Sequence, residues 1–397
     1  MQVGGIEIGW SPYGYTHALG LERLSPQGSQ TSQGEQGAQG PSGSHSSHSS
    51  HSSHSSDSSH SSHSSHSTSG PNDTAVTSTP PPPDALAMLE MTRARGLAGV
   101  ELPYRYVLAG RTGAQLDEIA RVAKTSGLFL HVAANGYTLD QLREPLEAAA
   151  RIGARVVRTT IGGAKIGGDR RPLAGRWQQF VTDVADALAE VTPIAERCGV
   201  PLGIENHQDV SSEDLLYIID RCQSEMLGVT LDTGNPLATA EHPLHMTRRL
   251  APHVVDIHLK DYRIYISESG YRLVRCPVGS GAVPLLQMLE IVAQARPQTR
   301  AVIEHGADQA RHIRVFEPDY WPDYPPRSAG AFAEVIGFVI HHARPGDEEW
   351  RTPVELGEPE PNVVAWQERE FQSTLAWLES VQQHGGGGIG GESAAGR

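Results

Sequence analysis

Short apolar runs alternate with amphipathic helical segments along most of the chain, and this alternation limits the possible folds more than any other feature of the sequence. The apolar runs are nearly continuous in Val, Ile and Leu, which is typical of strands that are buried on both faces. Eight strands are predicted, at residues 6–10, 99–103, 128–133, 155–159, 202–205, 227–232, 254–259 and 301–304.

A helical pattern follows each predicted strand, and one further helix is predicted near the end of the chain. The predicted helices are 84–95, 114–126, 139–152, 175–198, 211–223, 243–250, 284–295, 329–343 and 363–383. Ser211 and Asp214 have the spacing of a capping box at one helix start. Eight strand–helix repeats of this kind predict an α/β fold, a (β/α)8 TIM barrel. An open doubly wound sheet is the alternative, but it usually has a glycine-rich turn after its first strand, and residues 10–14 (WSPYG) are not such a turn.

Two segments of low complexity interrupt or follow this pattern. Residues 25–83 contain no Lys or Arg and include a His-Ser-Ser repeat between His45 and His66. Clustered imidazoles bind metal ions, but so Ser-rich a segment buries too little apolar surface to fold, and we expect a disordered insertion. The predicted organisation is a first barrel strand in 1–24, this insertion in 25–83, the remainder of the barrel in 84–345, a C-terminal extension with a helix in 346–384, and a disordered tail in 385–397.

Composition excludes several classes of protein. The 397-residue chain has a formal net charge of −14, which is unfavourable for binding nucleic acid. No apolar run reaches the roughly 18–20 residues of a membrane helix, and the first residues lack the basic and apolar regions of a signal peptide. Three cysteines without a CxxC pair argue against a disulfide framework. We therefore expect a cytoplasmic protein that binds neither nucleic acid nor membrane.

Four successive strands in the second half end in a residue that can bind a metal ion. These residues are Glu205, Asp232, His258 and Glu304, and the intervals between them are 27, 26 and 46 residues. The first two intervals are each about one strand–helix repeat, and we interpret the longer third as an inserted loop at residues 260–282. Because the carboxyl ends of barrel strands meet at one mouth, the four side chains are expected to lie together.

Each of these residues alone also has a structural explanation, such as a helix cap, an ion pair or a buried histidine. Together, three carboxylates and an imidazole at one mouth would repel each other unless a cation neutralised them. Three oxygen donors and one nitrogen favour Mn²⁺ or Mg²⁺, although Zn²⁺, Co²⁺ or Fe²⁺ could compete. The sequence therefore predicts one divalent metal ion as cofactor.

The chain resembles a known family at these residues, the xylose-isomerase-like TIM barrels, also called the sugar phosphate isomerase/epimerase family. The resemblance is strongest between residues 201 and 304, through the segments IENH, LDTGN, HLKD, PVGSG and VIEHG. It implies that the four strand-end residues are metal ligands, as in the ketose 3-epimerase branch, and that Glu205 and Glu304 also form the acid/base pair.

The resemblance implies chemistry on a small sugar-like substrate. A divalent ion that chelates a carbonyl and its neighbouring hydroxyl acidifies the C–H bond between them. Return of the proton with inversion gives epimerisation, and return to the adjacent carbon gives isomerisation. The expected function is thus a sugar, sugar-phosphate or keto-polyol isomerase or epimerase. A dehydratase or lyase acting on a keto-sugar, inosose or dehydroshikimate-like substrate is the alternative, and a non-catalytic carbohydrate-binding barrel is the third hypothesis. Related barrels commonly dimerise, so a homodimer is also considered.

Departures from the family pattern narrow these hypotheses. Asn235 stands where many relatives have His, which weakens a second-metal site and suggests a hydrogen bond to substrate. The apurinic endonuclease branch has an Asp-x-His pair just before its Gly-x-Gly turn, and the matching residues here are Val274 and Cys276. DNA cleavage is therefore not expected.

Several further residues are candidates for the site. Lys260 could polarise a substrate oxygen, or it could form an ion pair with Asp261 or Glu304. The loop at residues 316–326 (FEPDYWPDYPP) is interpreted as a substrate lid, as a cover of the barrel mouth that packs against Trp350 or Trp366, or as a dimer contact. Candidate substrate-binding residues, for most of which packing or ion pairing is the rival interpretation, are His207, Asn235, Arg263, Glu101 and His131, and Arg158 is a weaker candidate.

Overall fold

The computed structural model describes residues 1–21, 84–163 and 166–384. The strands within these ranges are β1 (Gln2–Val3), β2 (Ile6–Trp10), β3 (Gly99–Pro103), β4 (Phe129–Asn135), β5 (Val157–Thr160), β6 (Leu202–Glu205), β7 (Leu227–Asp232), β8 (Val254–Leu259), β9 (Tyr262–Ser267), β10 (Gly270–Arg275), β11 (Ala301–Ile303) and β12 (Arg311–Ile313). The predicted insertion at 25–83 and the predicted tail at 385–397 lie outside the described residues.

Eight of these strands form a closed parallel barrel. Their order around the barrel is β2, β3, β4, β5, β6, β7, β8 and β11. The barrel closes because β2 pairs in parallel with both β3 and β11. The predicted (β/α)8 TIM barrel is therefore confirmed, with a short antiparallel strand β1 added to its first strand.

Helices cover the barrel and follow the predicted segments closely. They are α1 (Ala85–Ala94), α2 (Gly113–Thr125), α3 (Leu139–Ile152), α4 (Trp177–Cys198), α5 (Ser212–Cys222), α6 (Pro243–Leu250), α7 (Leu285–Ala295), α8 (Ala329–His342) and α9 (Glu360–His384). The capping box at the start of α5 is present, because the Ser211 side chain accepts from the Asp214 backbone and the Asp214 side chain accepts from the Ser211 backbone. Within the described ranges no helix is both long and apolar enough to cross a membrane.

The interpretation of residues 260–282 as a loop is wrong in its local structure. This segment folds into the antiparallel hairpin β9–β10, and β12 joins it as a third strand. The pattern that sequence reading missed is the alternation of Tyr262 and Ile264 with Arg263, which buries the two apolar side chains on one face. That face packs with Leu237 and Ala238, which follow β7, so the small sheet extends over the barrel mouth.

Helix α9 is longer than predicted and packs on the barrel. Phe371 is buried and contacts the rings of Trp10 and Tyr15, with centroids 5.9 and 5.1 Å away. The Thr374 hydroxyl lies 2.9 Å from Nε2 of His305, which follows β11. The C-terminal extension therefore supports the strand end that carries Glu304.

Candidate metal centre

Four consecutive barrel strands carry the predicted ligands at one end of the barrel. Glu205 ends β6, Asp232 ends β7, His258 lies near the end of β8, and Glu304 follows β11. Asp232 and His258 are directly paired across β7 and β8. All four side chains are buried. The parallel arrangement of the strands thus brings residues from distant parts of the chain to one mouth.

Three of the four predicted ligands form a compact group, and the fourth contacts it. Ligand atoms of Glu205, Asp232 and His258 all lie within 4.8 Å of one another. Glu304 Oε2 is 2.5 Å from His258 Nδ1. The two glutamates come from the outer pair of the four strands, so they flank Asp232 and His258.

Lys260 belongs to the same group. Its ammonium contacts the Asp232 carboxylate and lies 2.5 Å from Glu304 Oε1. Of the two ion pairs considered from the sequence, the structure has the one with Glu304 and not the one with Asp261. The Asp261 carboxylate instead accepts the backbone N–H groups of the 277–281 turn and of Val283.

A second layer of charged side chains lies behind His258. His258 Nε2 is 3.1 Å from Glu101 Oε2 and 3.6 Å from Asp256 Oδ2. Asp256 Oδ1 is in turn 3.0 Å from His131 Nδ1. Glu101 thus contacts His258 directly, and His131 contacts it through Asp256. Both arrangements correspond to the ion pairing that was the alternative to substrate binding for these two residues. Sequence reading missed Asp256, although it stands two residues before His258 on the same strand and so on the same face.

Arg158 contacts the other side of the group. Its guanidinium lies 3.5 Å from Glu101 and 3.6 Å from Glu205, and it stacks on the ring of Tyr13 at 4.8 Å. The Ser11 hydroxyl donates to Glu101 at 2.8 Å. Arg158 was only a weak candidate from the sequence because the chain has many arginines, and nothing local distinguishes this one.

Of the remaining candidates, His207 and Asn235 have polar groups that a ligand could use, whereas Arg263 faces away from the mouth. His207 lies beside Asp209, with Nδ1 3.4 Å from the carboxylate, and its side chain is 38% exposed. Asn235 is buried, and neither its amide oxygen nor its amide nitrogen has a hydrogen-bond partner in the described ranges. Arg263 lies on the face of β9 opposite to Tyr262, because neighbouring strand residues alternate, and no described contact joins it to the mouth. The structure therefore gives no support to Arg263 as a substrate-binding residue.

The pKa values of the mouth residues reflect burial opposed by neighbouring charges. Burial raises the pKa of Asp232 to about 6 against the opposing charge of Lys260, and Glu304 and Glu205 add to the increase. Burial also disfavours the charged forms of Glu304 and His258. Lys260 and His258 nevertheless hold the pKa of Glu304 well below its usual value, and Glu101 and Glu304 hold the pKa of His258 well above its usual value.

This donor set fits a divalent cation. The Glu205 carboxylate is buried but accepts no hydrogen bond from the described residues, and Arg158 is its ion-pair partner. The mouth contains two side chains that are always positively charged, Lys260 and Arg158. The buried carboxylates are more numerous: Glu101, Glu205, Asp232, Asp256 and Glu304. Carboxylate oxygens with one imidazole nitrogen are ligands that Mn²⁺, Mg²⁺ and Zn²⁺ accept. Such an ion would balance the excess negative charge.

The loop at residues 316–326 covers part of the mouth. Tyr320 and Tyr324 are buried, and their hydroxyls donate to the backbone oxygens of Ala238 and Gly168. Arg170 stacks between Trp177 and Tyr324, 3.9 and 3.7 Å from the ring centroids. Among the described ring contacts, Trp350 packs with His312 and Arg272, and Trp366 packs with Arg275, so none joins these two tryptophans to the loop. Tyr320 and Tyr324 also pack in the apolar cluster that joins the small sheet to Leu237 and Ala238.

The chain belongs to the xylose isomerase-like TIM barrel family, whose model matches residues 89–325. Among curated proteins, it is 26% identical over 234 residues to 3-oxo-isoapionate decarboxylase of Pectobacterium atrosepticum, covering 58% of this chain and 81% of that protein. It is 24% identical over 221 residues to the uncharacterized protein YihM of Escherichia coli, covering 54% of this chain and 65% of that protein.

Solved structures of sugar epimerases are also similar to this chain. The D-psicose 3-epimerase of Clostridium cellulolyticum H10 has a TM-score of 0.47 at 14% identity, covering 74% of this chain and 91% of that chain. The 3-keto-D-glucoside 4-epimerase of E. coli has a TM-score of 0.45 at 14% identity, covering 66% of this chain and 95% of that chain.

Proposed function

We propose that this protein is a divalent-metal-dependent isomerase or epimerase that moves a proton next to the carbonyl of a sugar-like substrate. One observation carries the proposal: Glu205 and Glu304 flank Asp232 and His258 on four adjacent strand ends. Glu205, Asp232 and His258 offer a cation site, and Glu304 contacts it through His258; a second possible group shares His258 and consists of it with Glu101 and Asp256. Membership of the xylose isomerase-like family supports the same class of enzyme.

The residues that would hold the metal ion are Glu205, Asp232, His258 and Glu304. A divalent ion there would polarise a substrate carbonyl and the neighbouring hydroxyl, and would stabilise the enediolate that forms when the intervening C–H loses its proton. Mn²⁺ and Mg²⁺ are the metals that we favour for this oxygen-rich set.

The protein's own groups handle the proton. One of the two glutamates removes it, and the other can return it from the opposite side, which gives inversion. The Lys260 ammonium contacts Glu304 and so favours the carboxylate form, which is the form that can accept a proton. Return of the proton to the adjacent carbon from the same side gives isomerisation.

Substrate oxygens need hydrogen-bond partners beside the ion. His207 is partly exposed, and the Asn235 amide is buried with both polar atoms unpaired. An unpaired buried amide is unfavourable unless a ligand or water completes its hydrogen bonds. We therefore propose that both residues bind hydroxyl or carbonyl oxygens of the substrate.

Exchange with solvent deuterium tests the proposal. The Mn²⁺-loaded protein is incubated in D₂O with a panel of ketoses, keto-sugars and inososes, and carbon-bound deuterium is measured by NMR and mass spectrometry. We expect incorporation without loss of mass from the carbon skeleton. Glu205→Gln and Glu304→Gln should each abolish the exchange, because each removes a proposed metal ligand together with a proton-transferring carboxylate.

A matched control separates chemistry from folding. Glu370→Gln makes the same change at a buried glutamate whose side chain pairs with Arg275. In the described ranges no hydrogen bond or ion pair joins Glu370 to the mouth residues, so the exchange rate should not change. Absence of exchange with every substrate in the wild-type protein, although Mn²⁺ is bound, would contradict the proposed reaction.

A lyase reaction is the second candidate. Among the similar proteins, 3-oxo-isoapionate decarboxylase is a lyase by its name, and it matches more than half of this chain. Loss of carbon dioxide, or of a β-hydroxyl as water, can start from the same enediolate-type electron distribution. Product mass distinguishes the reactions, because isomerisation and epimerisation leave the mass unchanged, whereas the lyase reactions release carbon dioxide or water.

A further inference from the structure

The small sheet β9–β10–β12 presents one face to the barrel mouth. Residues directly opposite each other on paired antiparallel strands lie on the same face. Ile264 pairs with Leu273, and Leu273 pairs with Arg311, so these three side chains share one face. Tyr262 stands two residues before Ile264 and lies on that face as well. Tyr262 on β9 and Arg311 on β12 therefore both lie on the face of the small sheet that is turned toward the mouth.

Tyr262 reaches into the space between two of the ligand-bearing strand ends. A Cβ atom at Gly234 would lie 2.6 Å from its ring, and one at Gly306 would lie 3.2 Å from its hydroxyl. Gly234 is two residues after Asp232, and Gly306 is two residues after Glu304. The glycines of the LDTGN and VIEHG segments therefore make room for the Tyr262 ring beside the metal centre.

The Tyr262 hydroxyl lacks a hydrogen-bond partner in the described ranges. The side chain is only 2% exposed, so bulk water does not readily satisfy it. Buried hydroxyl groups are normally paired, and an unpaired one is expensive. This hydroxyl is therefore available to a ligand that enters the mouth.

Arg311 is the second unpaired group. Its side chain makes no hydrogen bond and no ion pair with the described residues, and its Nε atom is buried. Arg311 shares the sheet face of Ile264 and Leu273, and this face packs with Leu237 and Ala238 at the barrel mouth. Burial lowers its pKa, because the guanidinium has lost water without gaining a counterion.

Three fully buried arginines near the mouth differ from the partly buried Arg311, because each of them has a carboxylate partner. Arg158 pairs with Glu101 and Glu205, and Arg170 lies 2.6 Å from Asp214. Arg275 pairs with Asp308 and Glu370.

The carboxylates near Arg311 are already engaged elsewhere. Asp308 contacts Arg275, and Glu304 contacts His258 and Lys260. Glu355 accepts the backbone N–H groups of Ala310 and Thr352. Arg311 therefore has donor capacity that no described residue uses.

From this geometry we infer that Arg311 and Tyr262 form a subsite for an anionic oxygen group of the substrate, a carboxylate or a phosphate. A guanidinium offers paired N–H donors to such a group, and the phenol adds a further donor. This inference rests on the proposed function and narrows it, because the substrate becomes a sugar-like acid or phosphate ester instead of a neutral polyol.

Binding of three probes tests the subsite. D-gluconate carries a carboxylate, D-glucose 6-phosphate carries a phosphate, and D-sorbitol is the neutral comparison. Their dissociation constants are measured by calorimetry on the full chain saturated with Mn²⁺. We expect at least one anion to bind about tenfold tighter than sorbitol, as a charged hydrogen bond would give. The anion that binds tighter identifies the group.

Variants locate the effect. Arg311→Met should reduce the anion's affinity to that of sorbitol, and Tyr262→Phe should weaken it several-fold without changing sorbitol binding. Arg314→Met removes the same charge three residues away, where the guanidinium already pairs with Asp319 at 2.9 Å, and should change neither affinity. If Arg311→Met does not fold, Arg311→Lys provides the test, because it keeps the charge but should lose the tighter binding that paired N–H donors give.

Two results would overturn the subsite: anions that bind no better than sorbitol, or an anion affinity that Arg311→Met (or Arg311→Lys, if the methionine variant does not fold) leaves unchanged. Failure of the subsite is distinguishable from failure of the proposed reaction. Deuterium exchange in a neutral polyol ketone, without anion preference, rejects the subsite alone. Anion preference that depends on Arg311, without deuterium exchange in any substrate, rejects the reaction alone.

Discussion

The barrel holds two buried groups of charged side chains, and they differ in how completely their charges are paired. The mouth cluster consists of Glu101, Glu205, Asp232, Asp256, His258, Lys260, Glu304 and Arg158. The α9 cluster consists of Arg275, Asp308, Gln367 and Glu370 and lies where helix α9 packs on the barrel. In the mouth cluster the buried Glu205 carboxylate accepts no hydrogen bond from the described residues, whereas in the α9 cluster both carboxylates accept side-chain hydrogen bonds.

Distances in the α9 cluster show this pairing directly. Arg275 donates to Glu370 at 2.9 Å, to Asp308 at 2.5 Å and to the Gly306 carbonyl at 3.1 Å. Gln367 adds a hydrogen bond to Asp308 at 3.2 Å. A buried group with complete pairing needs no further ion, so we interpret the α9 cluster as structural. The feature of the mouth that favours a cation is the Glu205 carboxylate, which is buried without a hydrogen bond from the described residues and has Arg158 3.6 Å away.

The largest expected effect concerns the α9 cluster. Arg275→Met leaves Asp308 and Glu370 buried without their cation, and breaking a buried pair in this way costs about 3–5 kcal/mol of unfolding free energy. Urea denaturation measures the loss, and Mn²⁺ affinity should not change. An exposed pair provides the control, since Arg351→Met at the surface should not measurably alter the midpoint. Weakened Mn²⁺ binding in Arg275→Met would break the distinction between the two clusters.

The next effect concerns the mouth cluster. Asp232→Asn removes a predicted ligand and should weaken Mn²⁺ binding by about 100-fold or more, because an amide is a poorer ligand than a carboxylate. Calorimetric titration of the protein after treatment with a chelator measures the affinity. Asp308→Asn makes the same change in the α9 cluster and should leave the affinity as it was. Equal effects of the two substitutions would mean that the mouth is not the metal site.

A pH-dependent effect follows from His305, which lies between the two clusters. Burial and then Arg275 lower its pKa to about 3. Between about pH 6.5 and pH 3 the unfolded chain binds a proton that the folded chain does not. His305 therefore does not lower the free energy of unfolding above about pH 6.5. Below that pH it lowers the free energy of unfolding by about 1.4 kcal/mol per pH unit, down to about pH 3.

The measurement compares wild type with His305→Gln by urea denaturation between pH 7 and pH 5. The variant should lose stability less steeply as the pH falls. His341→Gln, at an exposed position of α8, is the matched control and should keep the wild-type slope. Parallel slopes for all three proteins would contradict a neutral buried His305.

The smallest expected effect tests the role of Lys260. Its ammonium contacts Asp232 and Glu304, two of the predicted ligands, so it draws on the same carboxylates as a divalent ion. Lys260→Met should therefore bind Mn²⁺ about tenfold tighter, equivalent to about 1.4 kcal/mol. Lys260→Arg, which keeps a cation, should not gain affinity. Weaker binding in Lys260→Met would show that the lysine assists the ion instead of sharing its ligands.

The fold could be predicted from the sequence because its signals are local. Strand composition, helix periodicity and the Ser211–Asp214 cap each depend on neighbouring residues, and most element ends agree within a few residues. The strand-end residues could be located for the same reason. Parallel barrel strands all end at the same side of the barrel, so four residues that are far apart in the sequence lie close together at the mouth.

The features that were missed depend on contacts between distant segments. The hairpin at β9–β10 gains its third strand from β12, and the ring of Tyr262 fits only because Gly234 and Gly306 leave space for it. Arg158 could not be distinguished from other arginines until its partners were placed around it. Asp256 had a local signal, its position two residues before His258, but its role depends on His131 from another strand.

A crystal structure of the protein grown with Mn²⁺ and recorded with anomalous scattering would locate the metal ion and its ligands. We predict one strong manganese peak per chain at the barrel mouth, bonded to Glu205, Asp232, His258 and Glu304. A manganese peak held by other residues, or no peak at the mouth at a saturating concentration, would contradict it.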